Sequence, residues 1–174
     1  MFRITFRRML LGFFAFMSLL GGAVYATHLT SYWSSFTSEE YPPLTSSNGY
    51  LIDGFFCSGG YCDNTYIRNR LVNRNYGHSY WTSFFSEEAT NNRICSGANE
   101  FVTGVACKGS YCDNVSLQCT ALTNGNHNSG NCQWTPSFSE EEGSQYLPAG
   151  YYAVGMQCLG SYCDNKRIWA CRLE

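Results

Sequence analysis

The chain has 174 residues, with 11 basic side chains against 13 acidic ones and 29 aromatics. Its first 26 residues, "MFRITFRRMLLGFFAFMSLLGGAVYA", carry Arg3, Arg7 and Arg8, an apolar run from Met9 to Leu20, and a Val24-Tyr25-Ala26 ending. That pattern is expected of a secretory signal peptide whose apolar core is too short to span a bilayer. Removing it leaves 148 residues with eight basic and 13 acidic side chains, a net charge of −5. This balance offers no basic patch for nucleic acid or an anionic membrane, and 27–174 is a comfortable length for one domain with its own core.

All ten cysteines follow the signal: Cys57, Cys62, Cys95, Cys107, Cys112, Cys119, Cys132, Cys158, Cys163 and Cys171. An even count behind an export signal reads as five disulfides in a secreted protein, extracellular or periplasmic. The recurring C-x4-C spacing has no histidine beside it, so a metal is not expected, and neither is a cofactor.

In chain order, three stretches recur. A Trp-led, acid-ending stretch appears as "WSSFTSEE" (33–40), "WTSFFSEE" (81–88) and "WTPSFSEEE" (134–142). A glycine-bearing apolar stretch follows as "GYLIDGFFC" (49–57), "NEFVTGVAC" (99–107) and "GYYAVGMQC" (150–158). Each leads into one phrase, "CSGGYCDN" (57–64), "CKGSYCDN" (107–114) and "CLGSYCDN" (158–165). These define three repeats of about 50 residues, near 30–75, 76–125 and 126–174. Apolar strand-length runs separated by Gly, Ser and Asn, with no stripe of period 3.6, predict an all-β chain. The short link inside each C-x4-C suits a disulfide across a hairpin neck: Cys57–Cys62, Cys107–Cys112 and Cys158–Cys163. Shifting Cys95 and Cys119 back by one period reaches Thr45 and Asn69, both non-Cys, as a bonded pair would behave. Cys95–Cys119 with Cys132–Cys171 is therefore expected, and Cys119–Cys132 with Cys95–Cys171 is the rival.

A single 50-residue β unit cannot bury its apolar face alone, so a pseudo-threefold closure is expected, as a β-prism or alternatively a β-trefoil. The rhythm from Trp through "GYYAVG" (150–155) to "DNVSLQC" (113–119) resembles the repeats of vitelline membrane outer layer protein I. The resemblance covers most of 30–171 and implies a three-repeat β-prism and carbohydrate binding. The Y-C-D-N phrase and its staple depart from that family's pattern.

The pairs Asp63-Asn64, Asp113-Asn114 and Asp164-Asn165 can close turns on their own backbone. Turned outward beside Tyr61, Tyr111 and Tyr162, they would instead form up to three equivalent saccharide sites. Calcium on these oxygens is a thinner reading, with one Asp per unit. Adjacent carboxylates such as Glu39/Glu40, Glu87/Glu88 and Glu140/Glu141 point to opposite faces of a strand, so they read as solvated turns rather than as a glycosidase pair. Trp33, Trp81 and Trp134 read as core anchors, and Trp169 has no counterpart. His28, His78 and His127 sit in unlike contexts, and Asn114-Val115-Ser116 reads as a chance glycosylation acceptor. The sequence thus points to a secreted, lectin-like, non-enzymatic module that binds glycans or cell-surface glycoconjugates. The alternative is a protein–protein module (an inhibitor, immunity or envelope protein) whose contact surface lies where the repeats differ.

Overall fold

The computed structural model describes residues 30–174, so the signal-peptide expectation and His28 lie outside the described residues. The chain is all-β. Twelve strands run as β1 (Ser31–Thr37), β2 (Leu44–Thr45), β3 (Tyr50–Ser58), β4 (Asn64–Leu71), β5 (Tyr76–Trp81), β6 (Asn92–Ile94), β7 (Glu100–Lys108), β8 (Asn114–Leu122), β9 (His127–Trp134), β10 (Gln145–Tyr146), β11 (Tyr151–Leu159) and β12 (Asn165–Leu173). They form three four-stranded sheets, ordered β1-β4-β3-β10, β2-β7-β8-β5 and β6-β11-β12-β9. No described helix is long and apolar enough to cross a membrane.

Each sheet is built around one stapled hairpin, β3–β4, β7–β8 or β11–β12, with the Trp-led strand on one side. The fourth strand comes from another repeat. The first repeat's β2 pairs with β7, the second's β6 with β11, and the third's β10 with β3. This exchange closes a cycle, so no sheet is complete without its neighbour's chain.

A glycine makes each exchange possible. Gly54, Gly104 and Gly155 sit after a bulge in the central strand, opposite the incoming one. A Cβ there would lie 3.2 Å from the Gln145 carbonyl oxygen, 2.7 Å from that of Leu44 and 2.6 Å from that of Arg93. The repeated Gly in "G-[FY]-x-x-G" is therefore a clearance for a neighbouring backbone.

The central strands are buried through most of their length. On β3, β7 and β11 the inward side chains, among them Leu51, Phe55, Phe101, Val105, Tyr152 and Met156, pack between the three sheets. Phe85 and Phe138 complete this core from the loops after β5 and β9. The five disulfides are Cys57–Cys62, Cys107–Cys112, Cys158–Cys163, Cys95–Cys119 and Cys132–Cys171. Cys95–Cys119 ties the loop after β6 to β8, across two sheets, and such a set suits an oxidising compartment.

The expectation that Trp33, Trp81 and Trp134 anchor the core is corrected. They stand on the outer faces, Trp81 39% exposed and the others half-buried, because each lies in the cross-strand row of a central glycine: Trp33–Arg68–Gly54, Trp81–Gln118–Gly104 and Trp134–Trp169–Gly155.

Alanine at the clearance positions should cost stability in the order of their tightness. Gly155→Ala and Gly104→Ala are expected to lower the unfolding free energy by about 1–3 kcal/mol, and Gly54→Ala by less. Urea denaturation with disulfides intact measures this.

Candidate functional site: a tyrosine cap over paired carboxyls

The repeated phrase folds the same way three times. Its first Cys is the penultimate residue of one strand, its Asn begins the next, and residues 59–63, 109–113 and 160–164 make the turn. Tyr61-Cys62, Tyr111-Cys112 and Tyr162-Cys163 are all left-handed, with φ between 55° and 59°. The Asp amide of each turn closes it by donating to the carbonyl of Gly60, Ser110 or Ser161 at 3.2–3.3 Å. Tandem left-handed residues with side chains cost roughly 1–2 kcal/mol each. The turn is held all the same, by the staple and by groups from another repeat.

Gly59, Gly109 and Gly160 also have positive φ, and a Cβ on them would meet the amide nitrogen of Asn64, Asn114 or Asn165 at 2.8–3.1 Å. Asn114 and Asn165 in turn donate to the Oδ2 of Asp113 and Asp164 at 3.1 and 3.3 Å. Gly, Asp and Asn recur together because the Asn amide folds over the Gly and ties the Asp. All three Asp-Asn pairs are half-buried, and in the second and third the Asn amide is tied to its own Asp.

The tyrosines behave differently. Tyr61, Tyr111 and Tyr162 are 43–44% exposed, and their ring centroids are 5.2, 5.2 and 5.6 Å apart. Three residues 50 positions apart thus form one continuous aromatic cap, with rings tilted 57–67° to one another.

Beneath the cap lie carboxyls that sequence reasoning had assigned to solvent. Glu87 of the second repeat accepts from the Tyr162 N–H at 2.6 Å and the Cys163 N–H at 3.1 Å. Glu140 of the third repeat accepts from the Tyr61 N–H at 3.3 Å. Glu39 of the first repeat faces the backbone N–H groups of Tyr111 and Cys112. Each repeat therefore places a carboxylate in the nest of backbone N–H groups of the next, again in a closed cycle. Each S-E-E stretch is a turn, as expected, but its first Glu is aimed at a neighbouring tip: Glu87 and Glu140 are half-buried there, and Glu39 stays exposed.

Each of these glutamates also meets an Asp of its own repeat: Glu39 with Asp63, Glu87 with Asp113, Glu140 with Asp164. Burial, then the neighbouring Glu, pushes the Asp63 and Asp164 carboxyls up to about 6, and Asp113 upward for the same reasons. Glu39 is held low, first by the hydrogen bond from Asp63 and further by the N–H groups it faces. Asp63, Asp113 and Asp164 each have a buried Oδ1 with no partner among the described residues.

Lys166 breaks the repetition. It occupies the position of Thr65 and Val115, is wholly buried, and donates from Nζ to the Cys163 carbonyl at 2.8 Å. Burial pushes its ammonium down to about 8, opposed by the charges of Asp164, Glu140, Glu87 and Asp63. A lysine at an inward position where the other copies have Thr and Val was the sequence signal for it. Cys62, Glu140 and Asp164 place ligand-type atoms within 4.8 Å of one another, but Cys62 is bonded to Cys57 and Lys166 supplies the counter-charge. His78 and His127 lie away from the tips, His78 stacked on Tyr80 and His127 against Phe101.

A second aromatic surface covers the outer face of the β1-β4-β3-β10 sheet. Tyr41, Phe36, Tyr66, Phe56, Trp33 and Tyr146 follow one another with centroids 4.8–6.4 Å apart, and the Arg68 guanidinium lies 5.1 Å over Tyr146. Arg68 and Arg70 both bond the buried Asp53. At the positions of Phe56, Tyr66 and Tyr146 the second repeat's sheet has Ala106, Ser116 and Thr45, and the third's has Gln157, Arg167 and Ile94. This face is peculiar to one sheet.

Replacing Lys166 with Met should raise the titration of Asp63 and Asp164, because the Lys166 charge holds both down, and leave Asp113 unmoved. Side-chain carbonyl 13C NMR across pH 4–8 reads all three.

No family model, no curated protein and no solved structure matches this chain.

Proposed function

We propose that this is an exported, non-enzymatic binding module of β-prism architecture that takes glycans at its tyrosine cap. The carrying observation is that three exposed tyrosines from three repeats converge into one rigid patch. Tyrosine suits such a surface, having a flat face for the apolar side of a pyranose and a hydroxyl for its polar rim. Three separate four-stranded sheets, each completed by a strand of the preceding repeat, support a prism over a trefoil, as does the rhythm that resembles vitelline membrane outer layer protein I. Five disulfides support export.

The geometry favours one composite site over three separate ones. The Asn114 and Asn165 amides are tied to their own Asp and all three Asp-Asn pairs are half-buried, whereas the tyrosines are exposed to make contact. Partners would be polyvalent cell-surface glycoconjugates, and avidity would then come from several copies of the protein rather than from several sites on one copy.

A second reading is a protein partner on the aromatic face around Trp33 and Tyr146. Its Trp, Tyr and Arg composition is that of interface hot spots; the third repeat's sheet carries only a smaller cluster, Trp134 and Trp169 with Arg167 over Trp134.

Glycan-array screening followed by calorimetry on the best ligand separates the readings. The cap predicts one glycan per chain, and Tyr61→Ala, Tyr111→Ala and Tyr162→Ala should each weaken binding by about tenfold, roughly 1.4 kcal/mol. Three glycans per chain would restore independent sites. An absence of glycan binding, together with a protein ligand lost on Trp33→Ala or Tyr146→Ala, would favour the second reading.

A further inference from the structure

We propose that the tyrosine cap is gated by protons: one proton held within each Asp–Glu pair locks the tips together, and its loss loosens them. This deepens the reading of the cap as the working surface, but it needs no particular ligand.

The geometry behind it is a shortage of donors. In each repeat an Asp and a Glu face one another, and the Asp Oδ1 is buried without a partner; for the third pair the same is true of Glu140 Oε2. The Glu140 and Asp164 oxygens lie within 4.8 Å of one another. Two ionised carboxylates there would leave buried acceptors facing each other, which is unfavourable by charge and by lost hydrogen bonding. A single proton converts the pair into a carboxylic acid donating to a carboxylate. The Glu then keeps its charge for the backbone N–H groups of the next repeat's Tyr and Cys.

The surroundings set the direction. Asp63 faces Glu39, Glu40 and Lys166; Asp113 faces Glu87, Glu88 and the Asn114 amide; Asp164 faces Glu140, Glu141 and Lys166. With one proton per pair the three inner pairs carry three negative charges against Lys166. With none they carry six. The extra repulsion acts on the same Glu carboxylates that hold Tyr61, Tyr111 and Tyr162 in left-handed backbone. The Asp carboxyls are raised in the folded state, two of them to about 6. Their stabilising effect is therefore fully present below the ordinary Asp range and is lost as pH rises through about 6. Glu39, held low, opposes this only under more acidic conditions, as it too becomes protonated. The pair titrates as a unit.

The cycle also gives the gate an address. Asp63 acts through Glu39 on the second tip, Asp113 through Glu87 on the third, and Asp164 through Glu140 on the first.

The test uses the folded, oxidised protein without ligand. Amide hydrogen exchange of Tyr61, Tyr111 and Tyr162 is followed by NMR from pH 5 to 7.5 and corrected for intrinsic rates. Protection at Tyr111 and Tyr61 should fall at least about tenfold as pH passes 6, the equivalent of one pKa unit, and protection at Tyr162 should also fall with rising pH. Asn imitates a protonated Asp, so Asp63→Asn should flatten the profile at Tyr111 alone. Asp113→Asn should flatten Tyr162, and Asp164→Asn should flatten Tyr61. Flat wild-type profiles, or single variants that alter the wrong tip or all three equally, would overturn the gate. If the cap titrates as described but no glycan binds at any pH, the gate stands and the glycan reading falls.

Discussion

A carboxylate from one repeat accepts the backbone N–H groups of a left-handed turn in the next, and the rest of the molecule is arranged around that contact. Each turn holds two consecutive side-chain-bearing residues at φ near +57°, a cost of roughly 2–4 kcal/mol per tip. A short disulfide loop returns about 2 kcal/mol, and each charge-assisted hydrogen bond about 1.5–3. The staple alone barely offsets the strain. The neighbour's Glu tips the balance, so a tip is stable only where the preceding repeat is in place.

The same dependence appears in the sheets. Leu44–Thr45, Asn92–Ile94 and Gln145–Tyr146 are too short to stand as strands, yet each completes a neighbour's sheet against a glycine that admits its backbone. Strand exchange and carboxylate exchange run in the same order, first to second to third and back to first. Two interlocking cycles explain why the repeats keep their spacing within a few residues while their outer faces diverge. The outward position holds Phe56, Ala106 or Gln157, whereas Gly, Tyr, Cys, Asp and Asn recur unchanged at all three tips.

Much of this was legible in the sequence. The repeat, its strands and its cysteine pattern are local or periodic signals, and the absence of Cys at both Thr45 and Asn69 pointed to the Cys95–Cys119 bond. The Asp-Asn pairs posed a choice between turn and ligand that sequence could state but not decide; in the structure each Asn amide lies close over Gly59, Gly109 or Gly160, and Asn114 and Asn165 bond their own Asp. What sequence could not give is convergence. Nothing local says that Tyr61, Tyr111 and Tyr162 meet, or that Glu87 reaches a turn 75 residues away. Strand alternation argued that neighbouring glutamates cannot share a site, but these lie in turns, where alternation does not apply. The tryptophans misled for a related reason: a large aromatic repeated three times suits a core, but each lies in the cross-strand row of a central glycine, on the outer face.

The most direct test is the backbone conformation at the tips of a Glu87→Ala variant, read residue by residue from NMR couplings and chemical shifts. If carboxylates pass from repeat to repeat as described, Tyr162 and Cys163 leave the left-handed region while Tyr61 and Tyr111 remain in it. If Tyr162 stays left-handed, or if the second repeat's own Tyr111 is the one that relaxes, the interlock between repeats is contradicted.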